Sequence, residues 1–166
     1  MKRRKRMRGA AVAAGVCCLV SKLSAGVLAY WDFSANSNGV VDATGRCNSL
    51  TNSGVVISNG AAVFDGNQTA FRTLRPLYLA GSGALTVECF ARTTATNNFL
   101  ALLEHSMNYN NSAGAFLISL NEDDPGRARG SFKPAAGRNI DQTAANAAAD
   151  GRWHHLALVV DPAKAG

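Results

Sequence analysis

Residues Leu85–Arg92 read LTVECFAR, in which Leu85, Val87, Cys89 and Ala91 alternate with Thr86, Glu88, Phe90 and Arg92. Successive side chains of an extended chain leave on opposite sides, so this spacing predicts a strand with one apolar face turned to a core and one mixed face turned outward. Around it, from Val27 onward, the chain is a series of short apolar runs separated by turn dipeptides, with no long segment of helical period. Four dipeptides, Asn38-Gly39, Asn59-Gly60, Asp65-Gly66 and Asp150-Gly151, supply residues that tolerate positive φ and predict chain reversals. An all-β fold follows.

The other predicted strands are Val27–Phe33, Val55–Ile57, Ala61–Phe64, Phe71–Leu74, Phe99–Glu104, Ala115–Leu120, Arg129–Phe132 and Trp153–Asp161. In the last of these Leu156, Ala157, Leu158, Val159 and Val160 are apolar on both faces, which predicts a central strand covered on each side. Trp31 and Phe33 alternate with Tyr30 and Asp32 and are expected in the core. The alanine- and asparagine-rich stretch Ala135–Asp150 is expected to be a helical turn or a mobile loop.

The 166 residues suit one domain. The net charge of +6 suggests a polyanionic partner until its distribution is examined. Seven of the 17 basic residues precede Ala25, while all 11 acidic residues follow it, so the portion beyond Ala25 carries a net charge of −1. No nucleic-acid partner is expected of so neutral a domain. The first 25 residues have the three parts of a secretory signal: a basic head (Met1–Arg8), an apolar stretch (Gly9–Val20) and a small-residue exit at Ser24-Ala25. The apolar run is shorter than the roughly 20 residues that span a bilayer. Residues 1–25 are therefore expected to be a signal peptide, and residues 26–166 a secreted, periplasmic or cell-surface domain that meets the membrane only through that signal. The Arg3-Arg4 pair leaves the export route open.

Four segments in order carry a family resemblance: LAYWDFSANSNG (Leu28–Gly39), AAVFDGN (Ala61–Asn67), ALTVECFART (Ala84–Thr93) and DGRWHHLALVVD (Asp150–Asp161). Together they resemble the laminin-G-like jelly-roll domains of the concanavalin A-like lectin and glucanase superfamily. The resemblance implies a two-layer antiparallel jelly-roll sandwich closing over Trp31 and Trp153. It also implies about two further strands beyond Gly166, so the domain is expected to be incomplete at its C-terminus. Family members usually carry a tryptophan where this chain has Phe90.

The jelly roll hosts both binding modules and glucanases. Retaining glycosidases need two carboxylates about 5–5.5 Å apart, which on one strand face means acidic residues two or four apart. Around Glu88 the same-face neighbours are Thr86, Phe90 and Arg92, and around Glu104 they are Leu100, Leu102, Ser106 and Asn108, none acidic. Glu122-Asp123-Asp124 precedes Pro125 in a turn. No catalytic residue is identified, and the expected function is an exported, non-enzymatic binding or adhesion module for an extracellular glycan or a surface protein. The alternatives are a glycoside hydrolase of the same fold and a ligand-free structural domain of a larger surface protein.

Within that reading, Asn108, Tyr109 and Asn110 form an aromatic-plus-amide cluster and are the candidate ligand-binding residues. The resemblance also implies one calcium ion held by loop oxygens. Asp42 and Asp65 match the family positions, with Asn48 and Asn67 beside them as candidate ligands. Adjacent residues of a strand face opposite sides, so His154 and His155 are not expected to share a metal. Once residues 1–25 are removed, Cys47 and Cys89 are the candidate pair for one disulfide. The alternative is that Cys89 is a small buried core residue.

Overall fold

A computed structural model of the protein describes residues 12–18, 26–34, 41–75, 77, 83–106, 112–135 and 138–161. The regular elements are strands throughout: β1 Val12–Cys18, β2 Ala29–Tyr30, β3 Leu50–Ser53, β4 Val56–Ser58, β5 Ala61–Phe64, β6 Ala70–Thr73, β7 Leu85–Arg92, β8 Leu100–His105, β9 Phe116–Leu120, β10 Arg127–Phe132, β11 Ile140–Ala147 and β12 His154–Val160. All their pairings are antiparallel.

Six strands form one sheet in the order β12-β7-β1-β5-β4, with β2 beside β1. Four form a second sheet, β11-β10-β9-β8, and β3 pairs with β6. The inward sides of the two larger sheets meet in one core. Leu85, Val87 and Val160 come from the first sheet, Phe116, Ile118 and Phe132 from the second, and Trp31, Phe33 and Leu50 join from the flank. Burying each large apolar side chain stabilises the fold by about 1.5–3 kcal/mol. This sandwich-like arrangement agrees with the expectation of an all-β, antiparallel fold.

β7 follows its sequence pattern, with Leu85, Val87, Cys89 and Ala91 all buried. Asn59 and Gly60 both adopt positive φ, 51° and 74°, and close the hairpin in which Ser58 faces Ala61. Trp31 and Phe33 are buried; the Trp31 indole N–H donates to the Asn48 carbonyl at 2.9 Å, and Phe33 stacks on Phe71.

The structure corrects four expectations. β12 is the outermost strand of its sheet, not a central one: Leu156, Leu158 and Val160 turn inward, while Ala157 and Val159 face solvent. Its doubly apolar sequence is therefore only half used by the core. Trp153 is 45 % exposed, so the layers close over Trp31 but not over Trp153. The alanine- and asparagine-rich stretch is strand β11, held along one edge by β10 although six of its eight residues are exposed. The run expected over Val27–Phe33 is strand only at Ala29–Tyr30.

The stretch expected to be an export signal contributes residues 12–18 as β1, and the rest of residues 1–25 lies outside the described residues. β1 lies between β7 on one side and β5 and β2 on the other.

Candidate functional site

Because β7 buries every second residue, Glu88, Phe90 and Arg92 leave on its outer face. β12 runs antiparallel beside it in a register that sets His155 opposite Phe90 and Ala157 opposite Glu88. Cross-strand neighbours on one face lie within side-chain reach, and this register turns two distant segments into one surface. The His155 and Phe90 rings stack with centroids 4.8 Å apart. His155 Nε2 lies 3.0 Å from Glu88 Oε2. One step beyond β12, the Trp153 ring carries the Arg92 guanidinium 5.1 Å from its centroid.

The result is an exposed row of Trp153, Arg92, Phe90 and His155, with the half-buried Glu88 beside it, in which Phe90 is 50 % exposed. Ring faces and edges stand beside one carboxylate, one imidazole and one guanidinium. Such a surface offers apolar stacking area with hydrogen-bond donors and an acceptor at its margins. His154 has a different partner, Asp150 Oδ1 at 2.7 Å. That hydrogen bond, with a further one from the Arg152 backbone N–H, holds the Asp150 carboxyl below its ordinary range. The two histidines thus serve separate contacts.

The calcium candidates fall into two hydrogen-bonded units. Asp42 is buried, and its Oδ1 accepts from the backbone N–H of Tyr30 and from both the N–H and the hydroxyl of Thr44. Its Oδ2 accepts from the Asn48 N–H at 3.1 Å, and the Asn48 amide donates onward to the Leu28 carbonyl. Burial pushes the Asp42 carboxyl up, but these donors outweigh it and the net shift is downward. Asp42 and Asn48 therefore fasten the loop to β2. Asp65 and Asn67 form a separate turn, in which Asp65 accepts from the backbone and side-chain N–H groups of Asn67. Among the described residues no group of three or more His, Cys, Asp or Glu side chains is arranged to hold a metal.

The candidate ligand residues Asn108, Tyr109 and Asn110 lie outside the described residues. Cys47 and Cys89 are both free thiols, so the candidate disulfide is not formed. Cys47 is exposed in a turn, whereas Cys89 is fully buried on the core side of β7. Burial, reinforced by the Glu88 charge, pushes the Cys89 thiol up to about 12.

A second polar group lies on the four-stranded sheet. Arg129 bonds Glu122 at 3.2 Å, Asp141 at 2.7 Å and Asp123. Ser119 donates to Glu122 at 3.0 Å. This group ties β11 and the turn after β9 to β10.

Local sequence patterns do not mark the exposed row on β7 and β12 as a site. Each residue was visible in the sequence, but the register joining positions 88–92 to 153–155 was not. The available signal was the alternation of Leu85–Arg92, which assigns Glu88, Phe90 and Arg92 to one outer face. Comparison with protein-family models, with curated proteins and with solved structures returned no match to this chain.

Proposed function

We propose that the chain is an exported, non-catalytic binding module of the laminin-G-like jelly-roll kind, recognising extracellular glycan through the outer face of β7 and β12. The observation that carries this reading is the stacked Phe90–His155 pair, exposed beside Trp153 and flanked by Glu88 and Arg92. A pyranose ring presents C–H groups on its faces and hydroxyls around its rim. Aromatic faces take the first, while carboxylate, imidazole and guanidinium take the second. The export part of the reading is supported by the charge asymmetry and the three-part composition of residues 1–25.

Binding rather than hydrolysis is supported by the engagement of Glu88 with His155, whereas a retaining glycosidase sets two carboxylates about 5–5.5 Å apart across the scissile bond. The test is a glycan array probed with the full chain, followed by assay of the bound polysaccharides for released reducing sugar. Binding without release supports the proposal. Release of sugar would turn the reading to a glycoside hydrolase, and silence in both assays to a structural domain or a protein-binding one.

A further inference from the structure

The six-stranded sheet is assembled on β1. Along one edge Ala13–Cys17 pair with Arg92–Glu88 of β7. Along the other, Val12, Ala13 and Ala14 pair with Phe64, Val63 and Ala62 of β5, and then Cys17 and Cys18 pair with Tyr30 and Ala29 of β2. Among the described residues, β7 and β5 are joined in the sheet order only through β1, and β2 enters the sheet only by pairing with it.

The same seven residues, VAAGVCC, are the centre of the apolar stretch whose basic head and small-residue exit mark an export leader. One segment thus answers to two demands. A leader is cut away, yet its removal would leave β7 and β5 about 10 Å apart, twice the ordinary strand spacing. Ladder N–H and C=O groups on both facing edges would lose their partners, and unpaired strand edges recruit other strands.

We propose that the channel between β7 and the β5/β2 edge is a strand-acceptor site. Val12–Cys18 fills it in the full-length chain, and leader removal opens it to an incoming extended apolar segment of about seven residues, antiparallel to both β7 and β5. The occupant's chemistry is set by its surroundings. It is flanked on both sides by ladders, so it holds no proline. Like the sequence of Val12–Cys18, VAAGVCC, it is an apolar run of small residues. The inference rests on the proposal that the leader is removed.

The test uses the full chain with a specific protease sequence placed between Cys18 and Gly26, folded first and cut afterwards under reducing conditions. The N-terminal fragment should co-elute with the remainder and exchange for a labelled peptide of residues 10–20. The same peptide carrying Gly15→Pro should bind more than about tenfold more weakly, since proline removes a ladder donor. Release of the fragment without capture of the labelled peptide, whether the remainder stays folded or precipitates, would overturn the acceptor site. Equal capture of the proline peptide would do the same. Mass spectrometry of the product exported by a bacterial host separates the two proposals. An uncut N-terminus sinks the export reading and, with it, the opening of the site, even where the protein cut in vitro exchanges peptide, whereas a product beginning at Gly26 that captures no peptide sinks the acceptor site alone.

Discussion

Leu158 on β12 lies against the backbone of Gly130 on β10, so closely that a methyl group at position 130 would stand 2.8 Å from Leu158 Cδ1. This is where the two larger sheets approach each other, and the absence of a side chain at Gly130 lets the leucine fill the space between them. Gly130→Val is expected to destabilise the fold by about 1–3 kcal/mol through overpacking. Gly130→Ala should cost less, because the leucine tip can turn aside. Urea unfolding should show Leu158→Ala relieving part of the valine penalty in the double variant. Simple additivity of the two losses would mean that the sheets do not meet here.

Asp42 gathers four donors from three half-buried residues, and Asp42→Ala leaves those donors without their buried acceptor. A loss of about 2–4 kcal/mol is expected, since hydrogen bonds to a buried charge are among the stronger ones. The pH dependence has a fixed sign. The folded carboxyl lies below its ordinary value, so its contribution is present above the unfolded value and disappears as pH falls through the folded one. Denaturant midpoints between about pH 6 and pH 2 should fall more steeply for the wild type than for Asp42→Asn. Parallel curves would show that Asp42 does not anchor the loop.

Thiol labelling separates the two cysteines that follow residue 25. Cys47 should react in the folded protein, whereas Cys89, buried and with its thiol pushed up to about 12, should react only after unfolding. Peptide mapping after a brief pulse of alkylating reagent reads both sites in one sample. A native, non-reduced digest containing a Cys47–Cys89 crosslinked peptide would contradict the arrangement.

The outer face of β7 and β12 should tolerate truncation structurally and fail functionally. Phe90→Ala and Trp153→Ala remove rings that are about half exposed, so the unfolding midpoint should move little. Each should weaken glycan binding by about tenfold, the scale of one stacking contact. Full affinity in both variants would move the binding surface elsewhere, with Asn108, Tyr109 and Asn110 the next candidates.

What the sequence disclosed and what it withheld divide along physical lines. Strands with a strong two-residue period, β7 above all, were legible to the residue, as was β5 beside its Asn59-Gly60 turn. β11 was not, because Asp, Gln, Asn and Ala are weak strand formers and only the ladder to β10 keeps Ile140–Ala147 extended. Apolar residues on both faces of β12 predict a central position. The composition of Leu156–Val160 carries no information about whether a neighbour lies beyond the edge. The stacked pair of Phe90 and His155 depends on a register between residues far apart in the chain. No local pattern encodes it.

Arg129 holds three carboxylates from different parts of the second sheet, and its side chain is only 12 % exposed. Arg129→Met keeps much of the apolar stem while removing the charge, leaving Glu122, Asp123 and Asp141 facing one another. Since Glu122 and Asp123 reach solvent, the expected loss near neutral pH is a discounted one, about 1–3 kcal/mol. Burial pushes the Asp141 carboxyl up, yet hydrogen bonds from Ser131 and Arg129 and the guanidinium charge bring it below its ordinary value. In the wild type that contribution is present above the unfolded value and is lost on acidification. In the variant, repulsion among the carboxylates is greatest when all are ionised and fades as they protonate. The stability gap between wild type and Arg129→Met should therefore be widest near about pH 7 and shrink towards about pH 3, as read by denaturant midpoints. A gap that stays constant across this range would mean that the guanidinium acts through its packing rather than its charge.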